Sequence, residues 1–271
     1  MKPLLTVVTI SYNQSHFIKD CVDSTSNIYE NEIQHLIIDA GSTDDSRAIL
    51  TRLQKERKNI ELIFESDAGP ADGLNKGILA AKGEWVCFLN SDDFFLVNGL
   101  KDLIKLIRKS ENFDFIYGNG LKFSQGRIET KIVSTFSKAW FEADQLKMFQ
   151  QSTAFRTSFL IEKGVKFNLE NRTCWDLEFC LDVIQAGSRN LKSNLFFGGF
   201  RIHGNSISGS GRLELEYVSD VLRLKKAIRN SKSKFRELII ELNSIFNQLF
   251  FRIILHRRIR RLKSENSHFS R

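Results

Sequence analysis

The sequence has few of the residues that cross-link or interrupt small secreted domains. Its 271 residues include only two prolines, Pro3 and Pro70, and four cysteines, none in a C-x-x-C pair. The cysteines are Cys21, Cys87, Cys174 and Cys180. Because their neighbours are apolar or helical, we expect reduced structural thiols of a cytosolic protein, not disulfides or zinc ligands.

Long hydrophobic segments are also missing. No apolar run approaches the ~20 residues that a membrane-spanning helix needs. Met1 is followed almost directly by a β-branched strand, so we expect no signal peptide.

Two common nucleotide-binding motifs are absent. The first strand is followed by Ser11-Tyr12-Asn13-Gln14, where a Rossmann site would place G-x-G-x-x-G, and the chain has no G-x-x-x-x-G-K-[ST] loop. A phosphate-bearing ligand would therefore have to be bound by a metal ion and by scattered hydrogen-bond donors.

The chain does contain a regular alternation of strands and helices. The hydrophobic fraction of 42% and the charged fraction of 27% are those of a globular protein. Four strand–helix repeats in the first half predict an α/β fold with a mixed, mostly parallel sheet flanked by helices. We expect one domain over residues 1–211 and a helical extension over residues 212–271.

The most informative stretch is Trp85-Val86-Cys87-Phe88-Leu89-Asn90-Ser91-Asp92-Asp93. Its apolar first half is typical of a strand buried on both faces. Ligands of open α/β sheets lie outside the carboxyl ends of the strands, and two carboxylates there suit Mg²⁺ or Mn²⁺ together with substrate phosphates. The alternative is that Asp92 and Asp93 only cap the following helix.

Further polar residues follow other predicted strands or begin a helix. Asp39 ends the second strand, Asn119 follows the fifth, and Asp176 begins a helix over Leu177–Ala186. Asp39 is placed to bind a base or ribose, as an acid does after the second strand of other nucleotide folds, or to cap the turn at Gly41.

Several motifs occur in an order that resembles the family 2 glycosyltransferases of the GT-A fold. They are Thr6-Val7-Val8-Thr9-Ile10-Ser11-Tyr12-Asn13, Ile38-Asp39-Ala40-Gly41-Ser42-Thr43-Asp44-Asp45-Ser46, Glu65-Ser66-Asp67-Ala68-Gly69, Asp72-Gly73-Leu74-Asn75-Lys76-Gly77 and Leu89-Asn90-Ser91-Asp92-Asp93. They cover roughly the first half of the chain. The resemblance implies an inverting transfer of a sugar from a nucleotide-diphosphate sugar, dependent on Mn²⁺ or Mg²⁺.

The resemblance also implies roles for individual residues. Asp93 would bind the metal, and His203, in the Gly/Ser-rich loop after the last strand, would complete its shell unless it is a bystander. The residues expected to bind the nucleotide sugar are Thr9, Ser11, Asp39, Asp67, Asp72, Asn75, Asp92 and Asn119. Gln150-Gln151 stands where the family commonly has His-Gln, which puts that acceptor-side contact in doubt.

An inverting transferase needs one general base to remove the proton of the attacking hydroxyl. In the family this base is an acid at the start of a helix after the sheet, and Asp176 fits best. Glu178 and Asp182 are alternatives, and capping is the alternative role of Asp176 itself. Trp175 offers a face for a sugar ring or packs in the core.

The formal net charge of +8 is concentrated beyond Lys225, where an apolar helical stripe runs into a basic segment. A basic amphipathic helix favours peripheral binding to the inner face of the cell membrane, and packing on the domain or on a second subunit is the alternative. Family members that use lipid-linked acceptors support the membrane interpretation, whereas no nucleic-acid-binding module is present.

The sequence thus predicts a glycosyltransferase of polysaccharide biosynthesis with a lipid-linked or glycan acceptor. A processive synthase is disfavoured because the chain has no Q-x-x-R-W signature. A sugar-nucleotide pyrophosphorylase would need a Gly-rich basic loop after the first strand, which is missing. A non-catalytic nucleotide-sugar-binding protein could dispense with Asp93 and Asp176, which are both present.

Overall fold

The computed structural model describes residues 2–25, 31–134, 148–204, 206–211 and 213–230. The chain divides into two units, Met1–Ser134 with Lys147–Val221, and Thr135–Leu146 with Leu222–Arg271. Every strand among the described residues lies in the first unit. Residues 231–271, which carry most of the predicted basic amphipathic extension, lie outside the described residues, so the extension and its boundary at residue 212 stay predictions.

Nine strands form a single sheet. They are β1 (Leu5–Ser11), β2 (Ile33–Asp39), β3 (Ile60–Phe64), β4 (Trp85–Phe88), β5 (Phe94–Phe95), β6 (Phe115–Ser124), β7 (Arg127–Ile132), β8 (Thr153–Arg156) and β9 (Asn190–Ile202). The described helices are α1 (Ile18–Ser24), α2 (Ser46–Glu56), α3 (Pro70–Ala80), α4 (Gly99–Ile107), α5 (Thr157–Lys163), α6 (Trp175–Gln185), α7 (Ile207–Ser210) and α8 (Glu214–Asn230).

The strand order is β3-β2-β1-β4-β8-β6-β9-β5, and β7 pairs with the outer part of β6. Strands β1 to β4 are parallel to one another, whereas β8 runs antiparallel to both β4 and β6. The α/β fold with a mixed sheet predicted from the sequence is confirmed. The carboxyl ends of β1, β2 and β4 consequently meet at one edge.

The central strands are apolar because both of their faces are covered. Every residue of β2 and β4 is buried, which explains their lack of polar alternation. Helix α3 packs directly on β1 at Gly77, where a Cβ atom would come within 2.3 Å of a Val8 methyl carbon. A glycine is therefore required for this close helix–strand contact.

The second half departs most from the sequence-based expectation. Strand β6 extends to Ser124 and forms a hairpin with β7. Strand β8 lies within residues 148–156, which the sequence pattern predicts as a strand or a loop before a short helix. The short strand β5 was not predicted, since two residues are too few to show a period. The position of β5 is set by pairing with β9, and that of β8 by pairing with β4 and β6.

A cluster of phenylalanines holds α6 over the centre of the sheet. The Phe179 ring lies 5.6 Å from Phe88 of β4 and 5.1 Å from Phe155 of β8. It also stacks on Phe167 at 4.0 Å. This packing fixes the N-terminal end of α6 beside the edge where β4 ends. Among the described residues, no helix has the length and apolar character needed to cross a bilayer.

Candidate active site

A cavity of about 890 Å³ lies at the carboxyl edge of the sheet. Its first flank comes from the ends of β1, β2 and β3 and from the start of α3. Its centre is the loop after β4, and its second flank comes from β6, the residues before β8, and the start of α6. The lining residues are Ile10, Ser11, Tyr12, Gln14, Ala40, Asp67, Gly69, Pro70, Asn90, Ser91, Asp92, Lys122, Ile132, Met148, Phe149, Gln150, Gln151, Thr173, Trp175, Asp176, Phe200 and Ser206.

The two carboxylates after β4 point to different environments. Asp92 lines the cavity, and its Oδ2 lies 3.1 Å from Nε2 of His203. Asp93 is 0% exposed and is not part of the lining. Its Oδ1 accepts a hydrogen bond from the backbone N–H of Arg201 at 2.9 Å, and its Oδ2 accepts one from Nε2 of Gln151.

Burial, followed by the negative charge of Asp92, raises the pKa of Asp93 well above its usual range. Because Asp93 is buried and outside the lining, it does not reach the cavity in the structure, and its role as a metal ligand stays a prediction. Its hydrogen bonds join the loop after β4 to the Gln150–Ser152 3₁₀ turn and to β9. A run of two acids cannot reveal this difference, because the two side-chain directions depend on a turn in which the N–H of Asp93 donates to the carbonyl of Asn90 at 3.0 Å.

His203 follows directly after β9 and is oriented by an aromatic contact. Its ring lies 4.5 Å from the ring of Phe17, which also has the Arg201 guanidinium 4.9 Å from its centroid. The stacking holds the imidazole beside Asp92. The predicted proximity of His203 to the acids after β4 is thus observed, with Asp92 as the acid concerned.

The groups around Asp92 suit a hard divalent cation bound partly by a substrate. Within the described ranges, no cluster of three or more His, Cys, Asp or Glu side chains could hold a metal ion alone. However, Asn90 also lines this cavity, and its Oδ1 is buried without a hydrogen-bond partner. A carboxylate, an imidazole and an amide oxygen leave coordination positions for the phosphate oxygens that Mg²⁺ and Mn²⁺ prefer.

On the first flank, two of the predicted nucleotide-sugar residues line the cavity. Ser11 ends β1, and its Oγ is buried without a partner. Asp67 accepts a hydrogen bond from the N–H of Gly69 at 2.9 Å, and burial raises its pKa. Both side chains remain available to a ligand because they use few of their hydrogen-bonding positions.

Thr9 does not line the cavity, although it was predicted to. It lies two residues before Ser11 and therefore deeper under the same face of the sheet. Its Oγ1 is 2.9 Å from Nε2 of His35, and burial lowers the pKa of that imidazole to about 3. Thr9 and His35 are therefore part of a neutral buried hydrogen-bond network beneath the site.

Asp39 also has a structural position. Its carboxylate is 0% exposed and accepts hydrogen bonds from the N–H groups of Gly41 and Ser42 and from Nε of Arg47 at 2.7 Å. Burial acts to raise its pKa, but these hydrogen bonds outweigh it and hold the pKa below its ordinary value. The lining residue at this point is the neighbouring Ala40. Asp39 caps the turn at Gly41 in the structure, and its contact with a base stays a prediction.

Three more predicted ligand-binding residues hold the backbone together and do not line the cavity. Asp72 accepts a hydrogen bond from the N–H of Ala68 at 3.0 Å. The Asn75 amide pairs with both the N–H and the carbonyl of Phe167, at 2.8 and 2.9 Å. Asn119 similarly bridges the carbonyl of Asn194 and the N–H of Ser134. The amide groups of the two asparagines are thus occupied by the protein itself.

Asp176 lies in the first turn of α6 and lines the cavity. Its Oδ1 accepts a hydrogen bond from the N–H of Leu177 at 2.8 Å, and burial raises the pKa of the carboxyl. The alternative acid Glu178 is buried and accepts hydrogen bonds from Asn168 and Asn171. Neither Glu178 nor Asp182 belongs to the lining, so Asp176 is the α6 carboxylate that faces the cavity.

Several lining residues were not assigned a role from the sequence. Tyr12 lies within a recognised motif and Gln14 directly follows it, and these positions could have identified both residues. Lys122 gave no signal because it lies in a strand with weak alternation. Gln150 and Trp175 were noted in the sequence, but only the structure places them in the same cavity as Asp92 and Asp176.

Known proteins with similar sequences are glycosyltransferases. The model of the family described as glycosyl transferase family 2 matches residues 6–168. An uncharacterized glycosyltransferase of Nostoc sp. is 30% identical over 74% of the chain and 65% of its own length. The Escherichia coli UDP-Glc:alpha-D-GlcNAc-diphosphoundecaprenol beta-1,3-glucosyltransferase WfaP is 27% identical over 81% of the chain and 86% of its own length.

Solved structures show the same fold. The 1–349 fragment of Staphylococcus aureus TarS, in complex with UDP-GlcNAc, superposes with a TM-score of 0.67 at 18% identity. That superposition covers 83% of this chain and 66% of TarS 1–349. The Pyrobaculum calidifontis mannosyltransferase PcManGT, in complex with GDP-Man and Mn²⁺, gives a TM-score of 0.62 at 16% identity, covering 86% of this chain and 66% of its own. The predicted GT-A architecture is therefore confirmed.

Proposed function

The chain belongs to glycosyl transferase family 2, and on that premise we propose that it transfers one sugar from a nucleotide-diphosphate sugar to a hydroxyl group of a glycan acceptor. The observation that carries the proposal is a single cavity whose lining includes both Asp92, which contacts His203, and Asp176. Asp92 supplies negative charge for a cation that binds phosphates. Asp176 supplies a second carboxylate, whose pKa is raised by burial.

The nucleotide sugar is assigned to the first flank. Ser11, Tyr12 and Asp67 offer polar groups where the strands end, as expected for ligands of α/β sheets. TarS has been solved with UDP-GlcNAc and PcManGT with GDP-Man, which supports a donor of the UDP or GDP type.

We assign the divalent cation, Mn²⁺ or Mg²⁺, to Asp92, His203 and Asn90, in place of the Asp93 site expected from the sequence. A bound cation would neutralise the charge that develops on the departing diphosphate. The Mn²⁺ in the PcManGT complex supports this assignment. Asp93 would then position the Gln150–Ser152 turn.

Asp176 is the general base. Its carboxylate takes the proton of the acceptor hydroxyl as that oxygen forms a bond to the anomeric carbon, while the bond from that carbon to the nucleotide diphosphate breaks on the opposite face. A single displacement of this kind inverts the anomeric configuration. The raised pKa makes Asp176 a stronger base than an exposed aspartate.

We further propose that the acceptor is lipid-linked or part of a growing bacterial polysaccharide. WfaP, by its name, acts on a GlcNAc-diphosphoundecaprenol acceptor. A peripheral position on the inner face of the cell membrane, through the basic segment within residues 231–271, is consistent with such an acceptor. Alternatively, this segment packs on a second subunit in a homo-oligomer.

A non-catalytic nucleotide-sugar-binding protein is the second candidate, and transfer assays separate the two. The purified chain would be incubated with UDP- and GDP-sugars, with and without Mn²⁺, and with GlcNAc-diphosphate-undecaprenol as acceptor. We expect nucleotide release that requires donor, acceptor and cation together. Binding of the nucleotide sugar without transfer to any glycan acceptor would favour the second candidate.

A further inference from the structure

Buried polar atoms without a partner are concentrated at the cavity. Among the described residues, six buried side-chain nitrogen or oxygen atoms have no hydrogen-bond partner, and four of them belong to lining residues. These four are Ser11 Oγ, Asn90 Oδ1, Gln150 Nε2 and Trp175 Nε1. An unpaired buried donor or acceptor costs about 1–3 kcal/mol, so such a concentration indicates groups that a ligand satisfies.

The four atoms separate by flank and by chemistry. Ser11 and Asn90 lie where the donor sugar nucleotide and the cation are assigned. Gln150 and Trp175 contribute to the second flank, with Asp176, and both unpartnered atoms there are N–H donors. Gln150 and Trp175 are only 6% and 8% exposed.

The backbone around Gln150 is held in place before any ligand binds. Gln151 donates to Asp93, Ser152 donates from Oγ to the carbonyl of Asn119 at 2.7 Å, and Thr153 donates to the carbonyl of Gln150 itself. Gly198 packs against this turn so closely that a Cβ there would lie 2.6 Å from the carbonyl oxygen of Gln151.

The backbone before Trp175 is fixed in a similar way. Oδ1 of Asn171 accepts hydrogen bonds from the N–H groups of Thr173 and Cys174 at 3.1 and 2.9 Å. The indole therefore enters the cavity wall from a rigid turn, and Trp175 directly precedes the proposed base Asp176.

We propose that Gln150 and Trp175 select the acceptor, by donating hydrogen bonds to an oxygen that only accepts them: the carbonyl of an acetamido group or the oxygen of a carboxylate on the acceptor sugar. This inference rests on the proposed transfer function. A carbonyl or carboxylate oxygen satisfies N–H donors without bringing a proton that needs its own acceptor. A hydroxyl at the same position brings such a proton, and the buried polar atoms left unpaired on this flank are both donors.

Binding of three methyl glycosides tests the proposal. The probes are methyl 2-acetamido-2-deoxy-glucoside, methyl glucuronide and methyl glucoside, measured by saturation-transfer NMR with the full chain, UDP and Mg²⁺. We expect the acetamido sugar or the glucuronide to bind about tenfold or more tightly than the glucoside, as one satisfied buried donor implies. The preferred probe identifies which oxygen is recognised.

Two substitutions then assign the preference. Trp175→Phe keeps an aromatic ring and removes the N–H, and Gln150→Met keeps the length of the side chain and removes the amide. Each should reduce the preference for the acetamido sugar or the glucuronide over the glucoside by about fivefold or more. Thr157→Val is the matched control, because Thr157 Oγ1 is also buried and unpartnered but Thr157 does not line the cavity.

Equal binding of the three glycosides by the parent chain would overturn the proposal, as would an unchanged preference in both variants. If one variant fails to fold, as judged by circular dichroism, the other decides the outcome. Failure of the parent chain to bind UDP would instead count against the proposed function, which separates the two conclusions.

Discussion

The two flanks of the cavity are built from the chain in different ways. The first flank uses short segments where consecutive parallel strands end, such as Ser11 after β1 and Ala40 after β2. The second collects Lys122, Gln150 and Trp175 from segments that are distant in sequence. A local motif therefore locates the first flank, whereas only tertiary packing assembles the second.

The two flanks also show that a residue's place in a motif does not fix where its side chain points. On the first flank, Thr9 and Asp39 belong to recognised motifs, yet they hold a buried network and a turn instead of facing the cavity. Motif residues thus include those that shape the edge of the sheet as well as those that contact a ligand.

The largest effect should come from the second flank. Asp176→Asn removes the proposed base and should lower kcat by about 10²–10⁴-fold, while the dissociation constant of the nucleotide sugar changes little. Asp182→Asn, on the same helix but outside the lining, is the control. Transfer that persists in Asp176→Asn would place the base elsewhere.

The pH dependence of transfer sharpens the same assignment. Burial raises the pKa of Asp176, and a base acts only when deprotonated, so kcat should fall as the pH is lowered through that raised pKa. The acidic limb should therefore lie above the value of roughly 3.9 for an unperturbed aspartate. A kcat–pH profile with its limb at or below that value would contradict the role of Asp176.

Asn75 tests the structural interpretation of the first flank. Asn75→Ala leaves the N–H and carbonyl of Phe167 without their partner and should lower the free energy of unfolding by about 1–3 kcal/mol. Denaturant titration measures that loss, and calorimetry should find the affinity for UDP or GDP unchanged. A folded variant with strongly weakened nucleotide binding would restore the ligand-binding role expected from the sequence.

The smallest effect concerns acid stability. Because the pKa of Asp39 is lower in the folded chain than in the unfolded one, its contribution to stability is fully present above the unfolded pKa, roughly 3.9, and is lost as the pH falls through the folded pKa. Asp39→Asn should therefore flatten this part of the stability–pH curve. An unchanged acid transition would show that the contacts of Asp39 with Ser42 and Arg47 contribute little.

Much of the fold followed from sequence pattern because buried parallel strands have continuous apolar runs, as in β2 and β4. The short strand β5 was missed because its structure depends on pairing with the distant strand β9. Within the site, Ser11, Asp67, Asp92 and Asp176 were predicted and line the cavity. The different burial of Asp92 and Asp93 could not be foreseen, since it depends on Gln151 and Arg201 reaching Asp93 from other elements.

In the proposed function, Asp92 is the carboxylate that presents the cation to the nucleotide. The direct measurement is calorimetric titration of UDP and GDP, with and without Mn²⁺, into the parent chain and into Asp92→Asn and Asp93→Asn, with thermal unfolding as a check on folding. We expect Mn²⁺ to increase nucleotide affinity in the parent and in Asp93→Asn but not in Asp92→Asn. A Mn²⁺-dependent gain that survives in Asp92→Asn and disappears in a folded Asp93→Asn would contradict the account.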